Sequence, residues 1–327
     1  MMEEEVIKSR VMGIDISNER TTYAIVDIRG NIIAEDEFAT SDYGNVNDYV
    51  TKLVEKMVEL MEANGGFMSI RSVGVAAPSA NSLTGCIVNA ANLPWKGVLP
   101  LAAMLRDRLG LAVAVANDAH VSALGEYSYG MAHGMKDFVV VSLGVGLGSC
   151  FFSQGSGHKG FKGFAGEIGH TCLVDNGRKC GCGKNGCLEA YCAAKGVVQT
   201  AHELMAESSA PSLMRDLDYL SPRVISECCE QHDELAMEVY RRTGYLLGIG
   251  LANYASVVDP QAIILTGGIS HAGKWMMDSL RESFDSHVFP NMRGNIKIIV
   301  SSLNDHEREV LGASALAWEV QEYSLFK

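Results

Sequence analysis

The chain of 327 residues contains no apolar run approaching the roughly 20 consecutive residues that a membrane-spanning helix needs. It has no low-complexity segment, and no Pro/Ser-rich stretch marks a linker between its halves. Charged residues are sparse, at 20%, while 47% of the residues are hydrophobic. That balance excludes extensive disorder and allows a core large enough for two domains. Positive charge is the scarcer sign: 27 Lys and Arg against 39 Asp and Glu leave a formal charge of −12. An acidic surface repels phosphate backbones, so no nucleic-acid partner is expected, although a local anion site stays open. The N-terminal MMEEEVIKSR lacks the apolar core of a secretory signal. No membrane partner is expected either.

Cysteine, by contrast, is well represented, with nine residues. Six of them (Cys86, Cys150, Cys172, Cys192, Cys228 and Cys229) sit in apolar contexts and read as core filling in a reducing cytoplasm. The other three form a C-x-C-x4-C pattern at Cys180, Cys182 and Cys187, with His170 upstream. Gly181, Gly183 and Gly186 separate them, so the backbone can fold tightly around a small ion. Three sulfurs and one imidazole are a tetrahedral Zn²⁺ set, and four protein ligands leave no open position, so this zinc is expected to be structural. Cys172 or Cys192 is an alternative fourth ligand.

Period-two and helical patterns predict an order βββ-α-β-α-β in the first part. The strands are placed at 11–16, 22–27, 32–38, 73–76 and 112–116, with helices from 45 to 61 and over 101–109. A similar order follows: strands at 137–143 and 149–153 around the glycines Gly144, Gly146 and Gly148; helices over 188–206 and 234–257; a strand at 262–265 ending in Thr266-Gly267-Gly268; then a helix over 274–286, a strand at 296–300 and a last helix over 307–323. The reading is α/β, two lobes around a central cleft. The N-terminal lobe is 1–118, with 307–327 packing back on it; 119–306 forms the C-terminal lobe with the zinc loop. Ligands of open α/β sheets bind at the carboxyl ends of strands.

Several residues at such ends can carry chemistry. Asp118 follows a strand and opens a helix, a position from which it can take a proton from a hydroxyl or simply cap the helix. Glu167 and Glu189 bracket the cysteines and offer acceptors to a polyhydroxylated ligand; a two-carboxylate glycosidase is the rival use. Asp15 ends the first strand, and with the glycine loops at 144–148 and 267–268 it suggests a nucleotide.

These motifs resemble those of the ROK sugar kinases, and of bacterial ROK glucokinases in particular, over nearly the whole chain. G-x-x-G-E-x-G-H is present at 163–170 and C-x-C-G-x-x-G-C-x-E at 180–189, with Ala91-Asn92-Leu93-Pro94-Trp95-Lys96-Gly97 and Asn117-Asp118-Ala119 also matching. The resemblance implies an actin-like ATPase fold (ribonuclease H-like) and an ATP-dependent phosphorylation of a hexose, glucose to glucose 6-phosphate first, with Mg²⁺ brought by ATP. It implies Asp118 as general base. Asn92, Asn117, Glu167, His170 and Glu189 would bind sugar; Asp15, Gly144, Gly146, Gly148, Gly267 and Gly268 would serve the nucleotide. His170 would serve twice, once on zinc and once towards the sugar. A homo-oligomer, dimer or tetramer, is implied too.

The nucleotide side departs from the family pattern. The first phosphate loop, D-I-G-G-T-K in the family, is Asp15-Ile16-Ser17-Asn18-Glu19-Arg20 here. A carboxylate ~4 Å from a phosphate charge costs on the order of 4 kcal/mol unless it turns away, which makes Glu19 the most disruptive change. In the second loop, Val145 replaces a threonine. A sugar-binding relative with weak or no kinase activity is therefore the second expectation. A ROK repressor would need a helix-turn-helix domain ahead of Val11, where about ten residues stand.

Overall fold

The computed structural model describes residues 8–90 and 93–320. The chain divides into two compact units: the first takes residues up to His133, the excursion Lys159–Gly163 and the chain from Leu303 on, and the second takes Gly134–His158 and Phe164–Ser302. The elements run β1 Arg10–Ile16, β2 Arg20–Asp27, β3 Ile32–Ala39, α1 Val46–Ala63, β4 Ile70–Ala76, β5 Ala80–Asn81, β6 Cys86–Val88, β7 Val98–Leu99, α2 Leu101–Leu109, β8 Ala112–Ala116 and α3 Asp118–Tyr129. They continue with β9 Phe138–Leu143, β10 Leu147–Ser153, β11 Ser156–Gly157, α4 Glu189–Cys192, α5 Ala194–Glu207, α6 Pro222–Glu230, α7 Glu234–Val258, β12 Ala262–Thr266, α8 Lys274–His287, β13 Lys297–Val300 and α9 Asp305–Glu319.

Each unit is built on a five-stranded sheet of the same design. The first has the order β3-β2-β1-β4-β8 and the second β11-β10-β9-β12-β13. In the first, β1 pairs parallel with β4, and β4 with β8, while β2 and β3 run antiparallel beside them. In the second, β9, β12 and β13 are the parallel set, and β10 and β11 the antiparallel one. The parallel strands thus end together at Ile16, Ala76 and Ala116 in one unit and at Leu143, Thr266 and Val300 in the other.

Both faces of the first sheet are covered, and β1 shows how. Met12, Ile14 and Ile16 point to one side, with Tyr49, Leu53 and Met57 of α1 and Leu105 of α2. Val11 points to the other, with Val310, Leu311 and Ala317 of α9. Successive side chains of a strand alternate between faces, so Gly13 and Asp15 share the α9 side with Val11. There α9 lies directly on the sheet backbone: a Cβ on Gly13 would collide with the carbonyl of Val310, and one on Gly74 of β4 with that of Ala313. Gly312 makes the matching approach from α9 to the Val121 carbonyl of α3. A glycine inside a strand marks such a close approach. Two further ties join α9 to the unit: Ser72 Oγ donates to the Ala317 carbonyl at 2.8 Å, and the buried Arg308 lies 3.9 Å from the buried Glu126 of α3.

The structure corrects several expectations. The boundary expected between 118 and 119 lies at 133/134, because α3 packs on α9 and Gly312 admits it. The helix expected over 188–206 is broken at Ala193 (ψ 171°), which ends α4 and turns the start of α5 so that Ala194 N donates to the Gly144 carbonyl at 2.9 Å. The small β5-β6-β7 sheet, whose strands are two or three residues long, and α6, an amphipathic helix capped by Ser221 that buries Ile225, Cys228 and Cys229, are additional to the expected elements. Asn92 and residues 321–327 lie outside the described residues.

The Gly74→Ala variant is expected to lose about 1–3 kcal/mol of stability, because the added methyl meets backbone atoms of α9 that cannot rotate away. Denaturant unfolding, read as a lower midpoint at unchanged slope, checks it.

Candidate functional site

In the first unit the candidate residues Asp15, Asn117 and Asp118 stand where β1 and β8 end. Asn117 caps α3, its side-chain oxygen accepting from His120 N at 2.9 Å. The cap is therefore Asn117, which leaves its amide nitrogen to meet a ligand, and Asp118 is released from that duty. Asp118 is half-buried as a residue, but its Oδ1 is sealed from solvent and has no hydrogen-bond partner among the described residues. Burial pushes its carboxyl well above the usual carboxylate range, and the charges of Asp15 and Glu309 push in the same direction. Glu309 comes from α9 and accepts from the Ser122 hydroxyl, one turn along α3 from Asp118, at 3.1 Å. Sequence reading missed Glu309, because 191 residues separate it from Asp118 and its helical spacing marks only a surface or core position.

The loop after β1, expected to be the first phosphate loop, is a hairpin closed on itself. Ser17 N donates to the Arg20 carbonyl at 2.9 Å, and Arg20 N to the Ser17 hydroxyl at 3.1 Å. Arg20 lies 3.5 Å from Glu37 with both side chains half in solvent, so its charge is shared rather than offered outright. Glu19 is exposed, and its carbonyl is tied to Thr40 N.

In the second unit, Gly144 N donates to the Gly146 carbonyl at 3.0 Å and closes the turn from β9 to β10. Val145 stands at its tip, 84% exposed. Gly148 lies inside β10, paired with Ser142, rather than in the loop. Gly267, at φ +82°, sits so close to the Leu143 carbonyl that a Cβ would come within 2.6 Å of it. The two glycine turns after β9 and β12 are therefore neighbours.

The zinc-type segment follows. Ile168–His170 is a single 3-10 turn laid on β10, where Gly169 touches the Leu147 carbonyl and Ser149 Oγ donates to the Gly166 carbonyl. The ligand atoms of His170, Cys180, Cys182 and Cys187 all lie within 4.8 Å of one another. Cys180 Sγ is 3.7 Å from His170 Nδ1, and Cys182 Sγ is 3.7 Å from Cys187 Sγ. A tetrahedral Zn²⁺ with bonds of about 2.3 Å to sulfur and 2.0–2.1 Å to nitrogen sets such edges at roughly 3.6–3.8 Å, so the donor set fits the ion. Burial first, then the neighbouring thiols of Cys182 and Cys187 and the charge of Glu189, push Cys180 up to about 12, while the backbone N–H of Lys184 holds Cys182 below its ordinary value. Thiols this close need a cation before all can ionise. Of the two alternatives, Cys192 is buried with its thiol on the Thr243 carbonyl, and Cys172 stands outside the cluster.

Three side chains fix this loop. Lys184 Nζ donates to the His170 carbonyl at 2.9 Å. Arg178 is clamped on α5 through Glu203, Thr200 and the Gly196 carbonyl, and lies 4.7 Å above the Tyr191 ring. Glu189 reaches back, its Oε2 accepting from Leu147 N at 3.0 Å and its Oε1 3.5 Å from Cys180 Sγ. Glu167 Oε2 lies 4.0 Å from His170 Nε2, the ring nitrogen that faces away from the cluster. Arg178 was another residue missed in sequence, where a lone arginine carries no signal. No helix among the described residues is long and apolar enough to cross a membrane.

Comparison with known proteins agrees with this geometry. The structure of a ROK family glucokinase from Streptomyces griseus, in complex with glucose and AMPPNP, matches with a TM-score of 0.78 at 29% identity, covering 95% of this chain and 100% of that one. The fold is thus that of the actin-like ATPases, in the form built by the ROK sugar kinases. A family model described as "ROK family" matches residues 11–320, and the chain belongs to that family. A glucokinase of Halalkalibacterium halodurans is 29% identical over 322 residues, 97% of either chain. A xylose repressor of Caldicellulosiruptor bescii is 26% identical over 94% of this chain and 77% of its own length, so the family joins catalysts and regulators.

One Zn²⁺ per chain is expected on metal analysis. Cys182→Ser should lower that content, and chelation should loosen the 166–189 segment, seen as faster proteolysis there.

Proposed function

We propose that this chain is an ATP-dependent hexose kinase, with glucose the first candidate substrate, in which Asp118 is the general base. The observation that carries the reading is the buried, partnerless Oδ1 of Asp118 beside a cap already supplied by Asn117. A carboxylate held in that state at a strand end is a built acceptor for a hydroxyl proton. The likeness to glucokinases over nearly the full chain supports the same reading.

In this mechanism the primary hydroxyl of the sugar loses its proton to Asp118 as its oxygen bonds to the γ-phosphorus, and the bond from that phosphorus to ADP breaks. Catalysis is mostly positioning and charge balance. Asn117 and Asn92 are assigned to sugar hydroxyls, as are Glu167, His170 Nε2 and Glu189. The glycine turns at 144–146 and 267–268 are assigned to phosphate oxygens, with Asp15 near the Mg²⁺ that ATP brings. That ion would supply charge neutralisation at the phosphates. Zinc would act only by fixing the ring of His170, through Nδ1, so that Nε2 keeps one direction. The cysteines form no disulfide among the described residues, which supports a cytoplasmic setting. A dimer or tetramer belongs to the same proposal.

A second reading, a sugar-binding relative with little turnover, is favoured by one observation. The Ser17–Arg20 hairpin closes on itself and shares Arg20 with Glu37.

Asp118→Asn should lower kcat by about 10²–10⁴-fold with sugar binding retained. ADP release, assayed over glucose, mannose, fructose, allose, N-acetylglucosamine and N-acetylmannosamine, tests the reading; sugar binding with no ADP from any of them would favour the second. The base works ionised, so kcat should fall as pH drops through the raised pKa of Asp118. Removing one neighbouring charge by Glu309→Gln should move that acid limb to lower pH, and an unmoved limb would clear Glu309 of the role.

A further inference from the structure

The two sheets share one design, so their positions match strand for strand: β1, β4 and β8 with β9, β12 and β13. In the first sheet, Asp15 is the next-to-last residue of β1. Its ladder neighbour is Ala76, and beyond that stands Ala116. The matching place in the second sheet is Ser142, the next-to-last residue of β9, and its ladder neighbour is Thr266. Ser301 follows Val300, the partner of Leu265, and completes the row; its N–H donates to the Leu265 carbonyl at 2.9 Å. Where the first sheet carries one carboxylate and two alanines, the second carries three hydroxyls.

All three stand on one face. Val139, Val141 and Leu143 of β9, Ile263 and Leu265 of β12 and Val300 of β13 turn to the core formed with α5, α7 and α8, and alternate residues turn the other way. Ser142 is half-buried, and its neighbour on β10 is Gly148, which has no side chain to cover it. Thr266 is fully buried, yet its Oγ1 has no hydrogen-bond partner among the described residues. An orphaned buried hydroxyl calls for an explanation. Neighbouring strands lie about 4.7–4.9 Å apart, so a change of χ1 rotamer brings a threonine hydroxyl within reach of a serine hydroxyl beside it. The glycine turns at 144–146 and 267–268 leave from this same end of the sheet, and Val145 at the tip of the first has no hydroxyl to offer.

We propose that Ser142 donates its hydroxyl proton to a phosphate oxygen of the nucleotide, and that Thr266 orients it by donating to Ser142 Oγ once the phosphate is bound. Ser142 makes the contact, and Thr266 is a positioning residue. The row is the second unit's counterpart of Asp15. It is uncharged where Asp15 is charged, so it takes the anion itself rather than the cation that accompanies it. The inference deepens the nucleotide side of the kinase reading and rests on that reading for the identity of the anion.

Calorimetry with AMPPNP and Mg²⁺ tests it. Ser142→Ala should bind about tenfold more weakly, and Ser142→Thr, which keeps the hydroxyl, about as well as wild type. Adenosine, which has no phosphate, should bind all three alike. Thr266→Val keeps the shape of the side chain and removes only the hydroxyl. It should weaken AMPPNP binding several-fold in the wild-type background and add nothing in the Ser142→Ala background, the non-additivity of two groups acting in series. Because that hydroxyl is unpartnered in the free protein, Thr266→Val should not lower the unfolding midpoint, and Thr266→Ser should restore binding. Wild-type AMPPNP affinity in Ser142→Ala, or an equal loss for adenosine, overturns the site. Losses that add overturn the part given to Thr266. A wild-type protein that binds neither AMPPNP nor inorganic tripolyphosphate overturns the site as well. If AMPPNP binding follows the expected split but no sugar yields ADP, the site stands and the kinase reading falls. If Ser142→Ala releases ADP with an unchanged KM for ATP, the kinase reading stands and the site falls.

Discussion

Two missing methyl groups set the arrangement of the first unit. With Gly13 and Gly74 in neighbouring parallel strands, α9 settles onto the sheet at backbone distance rather than side-chain distance. Gly312 lets α3 approach α9 in the same way. From that contact follows the position of Glu309, whose charge, with that of Asp15, adds to the burial of Asp118. An alanine at either strand glycine would push the helix outward and thin out this acidic group. The candidate base is thus tuned by packing one turn further along the same face of its own helix, and a carboxylate with a raised pKa is better matched to proton transfer near neutrality than an ordinary one.

The second unit reaches comparable rigidity with polar contacts. Its zinc-type loop has little apolar surface of its own. It is held by Arg178 on α5, by Lys184 on the His170 carbonyl, and by the turn at Ile168–His170 resting on β10. Each of these joins segments distant in sequence, and each satisfies backbone groups that an irregular loop would otherwise leave unpaired. Glu189 belongs to this set, and its bond to Leu147 N ties the loop to the glycine hairpin.

The two turns proposed to meet phosphate differ in character. The hairpin after β9 is supported from outside, by Glu189 and by Ala194 N. The hairpin after β1 is supported from inside, by Ser17 bonding across to Arg20. The missing glycines in Ser17-Asn18-Glu19-Arg20 are therefore compatible with a regular, tight turn. What changes is the charge presented, since Glu19 is exposed and Arg20 is balanced by Glu37.

By itself the sequence determined the strands and long helices with period-two or helical patterns, the ROK motifs, and the set His170, Cys180, Cys182 and Cys187. These are local signals: hydrophobic alternation, and ligand types at short spacing around glycines. Tertiary structure alone decided that Asn117 rather than Asp118 caps α3, that Cys172 and Cys192 stand outside the cluster, and that the helix expected over 188–206 breaks at Ala193 to reach Gly144. It alone brought Glu309 to Asp118 and gave α3 to the first unit. Each of these depends on which backbone groups and charges meet across tens to hundreds of residues of chain. Local propensity carries no record of such meetings, because a glutamate on a helix or a glycine in a strand looks the same until its neighbour is in place.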